Sequence, residues 1–347
     1  MRIVAAAALA GLLATGPSLA QDLPKTQLRI VGGLSNLTAY NDYEKPFWTK
    51  TVPEKSKGQI SVEIKGFNEM GLKGPELLRL LGQGVIEFGT ATLSYFASDN
   101  PINEAIDIAT IAPDVQTARK VTAAFEPVYA KLYGSGGSNV KLLGISTYPG
   151  QVLFCNAEIK GLSDLKGKKV RTSSRTQAEF VETLGGSSVT MAFGEVVPAL
   201  QNKVVDCAIT GSLSGYSAKW YEVSTHLVAL PINWNQQIHA ANLGTWNKLD
   251  PKVRDFLQAN VKTLVDDIWE AAAKQTQEGY DCNTGAAACP HAVKGKMVLV
   301  QPSAADRDVL KNARQSLVDK WAARCSAQCV ADWNATVGKE VGITAKK

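Results

Sequence analysis

An arginine near the end of a predicted strand is the residue of this chain best placed to bind an anion. The strand covers Lys168 to Thr172, and the arginine is Arg171. Ser174 and Gln177 have the S-x-x-Q spacing of a capping box, which predicts a helix directly after the strand. Helix N-termini favour anions, and a guanidinium can grip two carboxylate oxygens at once. The pattern indicates a carboxylate or phosphate site; a salt-bridged surface arginine is the alternative.

Length and composition are those of an ordinary soluble globular protein. The chain has 347 residues, of which 45% are hydrophobic and 20% charged, enough for two domains or one large one. The formal net charge is +5, and the basic residues are scattered. No run resembles a nucleic-acid or membrane patch, so we expect neither partner.

The N-terminus has the pattern of a signal peptide. Arg2 is followed by the apolar run Ile3 to Leu13 and by Ser18-Leu19-Ala20. This pattern predicts cleavage after Ala20 and an exported mature chain without membrane insertion. A retained anchor is the alternative, but the apolar run is too short to span a bilayer.

Six cysteines fit an oxidising compartment. We predict three disulfides, among fifteen possible pairings, from two pairs that are close in sequence and two cysteines near strand ends: Cys282/Cys289, Cys325/Cys329 and Cys155/Cys207. Cys325 and Cys329 could instead form half of a metal site. However, no histidine has ligand spacing to them, so we expect no metal.

Strands and helices alternate through the first 150 residues. The order strand, helix, strand, helix, strand predicts a parallel sheet covered by helices. Two polar loops, around Asn36 and around Tyr95, follow strands of this sheet and would share one rim. Farther along, Asp250-Pro251 begins a long helix that could reach Gly279; two helices broken near residues 266–267 are the alternative.

Several motifs around Arg171 resemble one family of transport proteins. They are Asp164-Leu165-Lys166-Gly167, Arg171, Leu184-Gly185, Met191, Phe193, Glu195, Ala199-Leu200-Gln201 and Val204-Val205-Asp206. Their order and spacing resemble the C-terminal-lobe signature of tripartite ATP-independent periplasmic (TRAP) transporter solute-binding proteins of the C4-dicarboxylate-binding type.

The resemblance implies an α/β, two-lobe periplasmic binding protein fold, with two open sheets joined by hinge strands and a long bracing helix. We expect lobe I at 26–148 plus about 236–265, lobe II at 149–235 plus about 266–340, and a flexible tail at 341–347. The resemblance further implies a periplasmic protein that closes over a small organic acid and delivers it to an ion-coupled membrane permease. We expect no cofactor.

The resemblance also implies ligand-binding residues. Arg171 corresponds to the arginine that holds the ligand carboxylate, and we expect Ser174 to add a hydrogen bond. The first lobe would contribute Asn36, Thr92 and Tyr95. Phe193 matches an aromatic residue that stacks near the ligand in relatives, although core packing is equally compatible. Trp234 and Asn235, at the crossing back to lobe I, could line the cleft, although a tryptophan is more often core.

Two departures from the family pattern bear on the ligand. Many members carry a second arginine where this chain has Gln151 and Val152, and Thr210 replaces a ligand-facing asparagine. We therefore expect a ligand with one carboxylate, with aromatic acids and 2-hydroxy or 2-oxo acids as candidates, and with Gln151 and Thr210 as polar contacts. Members that bind 2-oxo acids through a metal often have Glu-Trp where this chain has Ile209-Thr210. Because this chain lacks that carboxylate, we expect no bound metal.

Motifs for common enzyme chemistry are absent from the sequence. It contains no G-x-S-x-G elbow, P-loop or H-E-x-x-H. A secreted hydrolase acting on an anionic substrate is therefore the weaker alternative, and a binding protein for an ATP-driven importer is a third.

Overall fold

The computed structural model describes residues 23–347. The predicted signal peptide, residues 1–20, lies outside the described residues.

Two β-sheets organise the described chain. The strands, in chain order, are β1 (Thr26–Gly32), β2 (Ile60–Gly66), β3 (Phe88–Thr92), β4 (Val140–Ser146), β5 (Gln151–Cys155), β6 (Lys169–Thr172), β7 (Ser187–Thr190), β8 (Cys207–Gly211), β9 (His226–Asn233), β10 (Gln237–Asn242) and β11 (Val298–Val300). One sheet has the order β2-β1-β3-β10-β4 and the other β11-β9-β5-β8-β6-β7. We call the first sheet and the segments that connect its strands lobe I, and the second sheet and the segments that connect its strands lobe II. The predicted two-lobe α/β fold is confirmed.

The sheets are mixed rather than purely parallel. In lobe I, β1 runs parallel to β2 and β3, as the alternating order predicts, but β10 lies antiparallel between β3 and β4. Because β9 belongs to lobe II and β10 to lobe I, the chain crosses between the lobes at residues 234–236.

Helices cover the sheets and connect them. They are α1 (Val52–Lys55), α2 (Leu77–Gly82), α3 (Val115–Gly134), α4 (Arg175–Thr183), α5 (Val196–Gln201), α6 (Ser212–Ser217), α7 (Leu243–Lys248), α8 (Pro251–Thr284), α9 (Ala304–Arg324), α10 (Ala327–Ala335) and α11 (Val337–Val341). None of the helices between residues 23 and 347 is long and apolar enough to cross a membrane.

Helix α8 contacts both lobes. It is continuous over 34 residues, about 51 Å, so the alternative of two helices broken near residues 266–267 is wrong. The indole nitrogen of Trp269 donates to the carbonyl of Ile145 in lobe I at 2.9 Å. About two helical turns farther on, Ser212 of lobe II donates its hydroxyl proton to the carbonyl of Thr276 at 2.9 Å. The helix therefore braces the two lobes.

Two of the three predicted disulfides are present. Cys155 and Cys207 are directly paired across β5 and β8, and Cys282 is bonded to Cys289 at the end of α8. Cys325 and Cys329 are free, buried thiols, so the third predicted pair is wrong for this structure. The neighbouring Cys325 thiol and burial together raise the pKa of Cys329.

The C-terminal segment packs against α9 and α10. Ala345 is buried, and its N–H donates to the side-chain oxygen of Asn334 at 2.8 Å. The N–H of Lys346 donates to Asp319 at 2.9 Å. These contacts join the segment to residues distant in sequence, and the flexible tail at 341–347 stays a prediction.

Candidate functional site

Arg171 lies inside lobe II, held by the two strands that flank its own. It is the third residue of β6, between β7 and β8, and its exposed fraction is 1%. Nη1 donates to the carbonyl of Ile209 at 2.8 Å, while Nε and Nη2 both donate to the carbonyl of Met191, at 3.2 and 3.0 Å. A guanidinium has five N–H groups, so one remains on each terminal nitrogen.

No carboxylate is among the hydrogen-bond partners of the Arg171 guanidinium. Burial lowers the pKa of Arg171 to about 10, against the opposing influence of Tyr95 and Glu195. The Arg171 guanidinium carbon lies 6.0 Å from the centre of the Trp220 ring, within range of a cation–π contact. Burying an unpaired charge is costly, and an anion that accepts the two remaining N–H groups would offset this cost.

A small cavity lies beside the guanidinium, between the lobes. Its volume is about 20 Å³. Lobe I, lobe II and the crossing between them all contribute lining residues: Leu34, Leu37, Thr92, Tyr95, Tyr148, Gln151, Arg171, Ser173, Phe193, Thr210, Ser214 and Asn235. Arg171 is the one charged residue among these lining residues; the others offer hydroxyl groups, amides and apolar surface.

The structure brings seven of the ten predicted ligand contacts to this cavity. They are Thr92, Tyr95, Gln151, Arg171, Phe193, Thr210 and Asn235. Phe193 packs face to face on Trp220, with ring centres 5.4 Å apart, so it is both a core residue and part of the cavity wall. That these residues contact a ligand stays a prediction.

Three of the predicted contacts do not line the cavity. Asn36 lines a neighbouring pocket of about 150 Å³, which shares Leu34, Tyr95 and Phe193 with the cavity. Trp234 is buried, and its indole nitrogen donates to the carbonyl of Ala112 at 3.1 Å. The hydroxyl oxygen of Ser174 accepts the N–H of Gln177 at 3.2 Å, so this side chain caps α4, while its neighbour Ser173 lines the cavity.

The N-terminus of α4 is occupied by a carboxylate of the protein itself. One oxygen of Glu104 accepts the N–H groups of Arg175 and Thr176, at 2.9 and 3.2 Å, and the other accepts from Arg324 at 3.0 Å. The predicted contribution of this helix terminus to a ligand site is therefore wrong. Glu104 follows β3 by 12 residues and gives no local sign of this contact.

Sequence reasoning missed five lining residues. Tyr148 and Ser214 follow strands β4 and β8, where the strand-end rule could have found them. Ser173 was overlooked in favour of the adjacent capping serine. Leu34 and Leu37 gave no signal, because leucines in a loop resemble core residues.

Comparison with known proteins identifies the family. The model of the bacterial extracellular solute-binding proteins, family 7, matches residues 36–324. The chain belongs to this family.

Individual members share this fold at low sequence identity. The sialic acid-binding periplasmic protein SiaP of Vibrio cholerae is 24% identical over 236 residues, 66% of this chain and 71% of its own. A Bordetella pertussis extracytoplasmic solute receptor binding pyroglutamic acid superposes with a TM-score of 0.78 at 18% identity, covering 89% of this chain and 99% of its own. A Shewanella oneidensis TRAP periplasmic solute-binding protein with bound succinate superposes at 0.75 and 19% identity, covering 90% and 99%. The resemblance to TRAP solute-binding proteins is thus confirmed.

Proposed function

We propose that this protein captures a small organic acid with a single carboxylate between its lobes and delivers it to an ion-coupled membrane permease. The observation that carries the proposal is Arg171, a buried guanidinium without a carboxylate partner, which keeps one N–H on each terminal nitrogen. A carboxylate can accept both N–H groups as a bidentate pair.

The neutral surroundings of Arg171 favour one carboxylate over two. No second cation lines the cavity among the residues described, and the site expected for a second arginine holds Gln151, whose amide nitrogen donates to the carbonyl of Pro149 at 2.9 Å. A second carboxylate would lose its hydration without gaining a charged partner. Tyr95, Tyr148 and Phe193 suit an uncharged remainder with apolar surface and a few hydrogen-bonding groups.

The size of the cavity requires the lobes to separate before a ligand enters. At about 20 Å³, the cavity is too small to admit an organic acid in this arrangement. Because lining residues come from both lobes, a ligand held there stabilises the closed arrangement over an open one. A permease could recognise this closed arrangement.

A hydrolytic function has less support. Catalytic acids, bases and nucleophiles need reactive side chains in the cleft. Of the lining residues in the described chain, none carries a carboxylate, an imidazole or a thiol.

A thermal-shift panel tests the proposal. The mature protein is mixed with matched monocarboxylates and dicarboxylates, including L-pyroglutamate and succinate. We expect a monocarboxylate to give the largest shift in melting temperature. A ligand at about 100 times its Kd stabilises the folded protein by roughly 2.7 kcal/mol, so the shift is measurable. Far tighter binding of a dicarboxylate than of any monocarboxylate would contradict the proposed ligand class.

A further inference from the structure

A buried carboxylate binds the chain crossing between the lobes. Asp107 comes from lobe I, and its exposed fraction is 4%. One oxygen accepts the backbone N–H groups of Trp234 and Asn235, at 3.1 and 3.0 Å, and the other accepts from the side-chain amide of Asn233 at 2.8 Å. Asn235 has a φ of 59°, a left-handed conformation that asparagine tolerates better than most residues.

A chain of hydrogen bonds leads from Asp107 to the cavity. The side-chain oxygen of Asn233 accepts from the amide nitrogen of Gln177, in α4 of lobe II, at 2.9 Å. The oxygen of Gln177 then accepts both the N–H and the hydroxyl of Ser173, at 2.9 and 3.1 Å. Ser173 lines the cavity, and its oxygen accepts from Asn235, which also lines it, at 3.4 Å.

The two ends of this chain fix the direction of every bond between them. An ionised carboxylate can only accept, and the backbone N–H of Ser173 can only donate. The amides of Asn233 and Gln177 must therefore turn their nitrogens toward Asp107 and their oxygens toward Ser173. If the acceptor at residue 107 became a donor, both amides would have to turn over, and the nitrogen of Gln177 would face the N–H of Ser173.

We propose that Asp107 is a positioning residue for the binding site. Through Asn233 and Gln177 it fixes the donor-to-acceptor direction of these hydrogen bonds, and it thereby holds Ser173 and Asn235 in place at the cavity. Asp107 does not line the cavity itself. Its effect reaches a ligand through the orientation of two lining residues, and this link to ligand affinity rests on the proposed function.

An isosteric exchange of two side chains tests the direction of these hydrogen bonds. In Asp107→Asn, the oxygen of the new amide is needed by the N–H groups of Trp234 and Asn235, so its nitrogen faces Asn233 and sets up the donor–donor conflict. In the double variant Asp107→Asn/Asn233→Asp, the new carboxylate at 233 accepts from both neighbouring amides. Gln177 then keeps its original orientation.

Hydrogen exchange of the Ser173 amide in the ligand-free protein at pH 8 is the primary measurement. We expect Asp107→Asn to accelerate this exchange by about tenfold, the effect of one lost buried hydrogen bond, and the double variant to return it to within about twofold of the wild type. Asp250→Asn, the same chemical change at the N-cap of α8, is the control and should leave the exchange unchanged.

Two results would overturn the proposal: unchanged Ser173 exchange in Asp107→Asn, or exchange in the double variant as fast as in the single variant. If Asp107→Asn does not fold, the double variant decides alone, since the proposal requires it to fold with wild-type exchange. Titration with L-pyroglutamate forms a second arm, in which the single variant should bind about tenfold more weakly and the double variant should recover. Absence of wild-type binding to every monocarboxylate of the thermal-shift panel would count against the proposed function, whereas the exchange result would still judge the role of Asp107.

Discussion

At the scale of single residues, several ionisable groups are buried, and they differ in their hydrogen-bond partners. Arg171 keeps its charge next to the cavity without a carboxylate partner. Glu44, in lobe I, is buried as well, but only one of its oxygens has a hydrogen-bond partner, the N–H of Gly33 at 2.8 Å. Burial raises the pKa of Glu44 to about 7, so this carboxyl group binds a proton more tightly in the folded than in the unfolded chain.

Glu44 should make the protein less stable as the pH rises from about 5 to about 7.5. In this range the folded chain holds a proton at Glu44 that the unfolded chain has released, so the free energy of unfolding falls with increasing pH. Burial also raises the pKa of Asp107 to about 7, which adds to the same slope. Thermal unfolding at several pH values should show a decrease in Tm for the wild type and a smaller decrease for Glu44→Gln. Equal slopes would show that Glu44 titrates normally.

At the scale of secondary-structure elements, local patterns predicted the strand–helix unit at Arg171 but not its partners. The S-x-x-Q spacing correctly placed Ser174 as the cap of α4. The reciprocal bond differs, because the oxygen of Gln177 accepts from Ser173 instead of Ser174. Glu104 and the C-terminal segment bind residues far away in sequence, and no local pattern carries that information. Most of the predicted contacts that line the cavity came from the family resemblance, because the resemblance carries information on sheet topology that local patterns lack.

The two disulfides should contribute unequally to stability. Cys155 and Cys207 close a loop between residues 52 positions apart, whereas Cys282 and Cys289 are 7 positions apart. Chain entropy predicts a loss of about 4 kcal/mol when the first is removed and about 2 kcal/mol for the second. Urea unfolding of the two Cys→Ala double variants measures both. A larger loss for the Cys282/Cys289 variant would show that loop length does not govern these disulfides.

At the scale of the whole molecule, the lobes are joined by the crossing strands, by α8 and by contacts across the mouth of the cleft. Lys73 of lobe I forms an ion pair with Glu195 of lobe II at 2.8 Å, and both side chains are well exposed. The pair lines the same pocket as Asn36. An exposed pair contributes little to folding, but this one links the two lobes.

Removing the Lys73–Glu195 pair should speed ligand release without destabilising the ligand-free protein. For the acid that binds best in the panel, we expect Lys73→Gln to raise koff by about twofold to fivefold at low salt, with a smaller effect at high salt because the pair is screened. Stopped-flow dissociation measures this rate. Since Glu195→Gln breaks the same contact, the double variant should release ligand no faster than either single variant; additive effects would mean that the pair does not act across the cleft.

The most direct test of the central claim is a calorimetric titration of the best-binding acid into the wild type, Arg171→Ala and Arg171→Lys. We expect no measurable binding to Arg171→Ala, because the carboxylate would lose its charged partner inside a closed cavity. Arg171→Lys should bind at least about tenfold more weakly than the wild type, because a lysine cannot form the bidentate pair. Wild-type affinity in a folded Arg171→Ala would contradict the account, because the ligand would then bind without the guanidinium on which the proposed site is built.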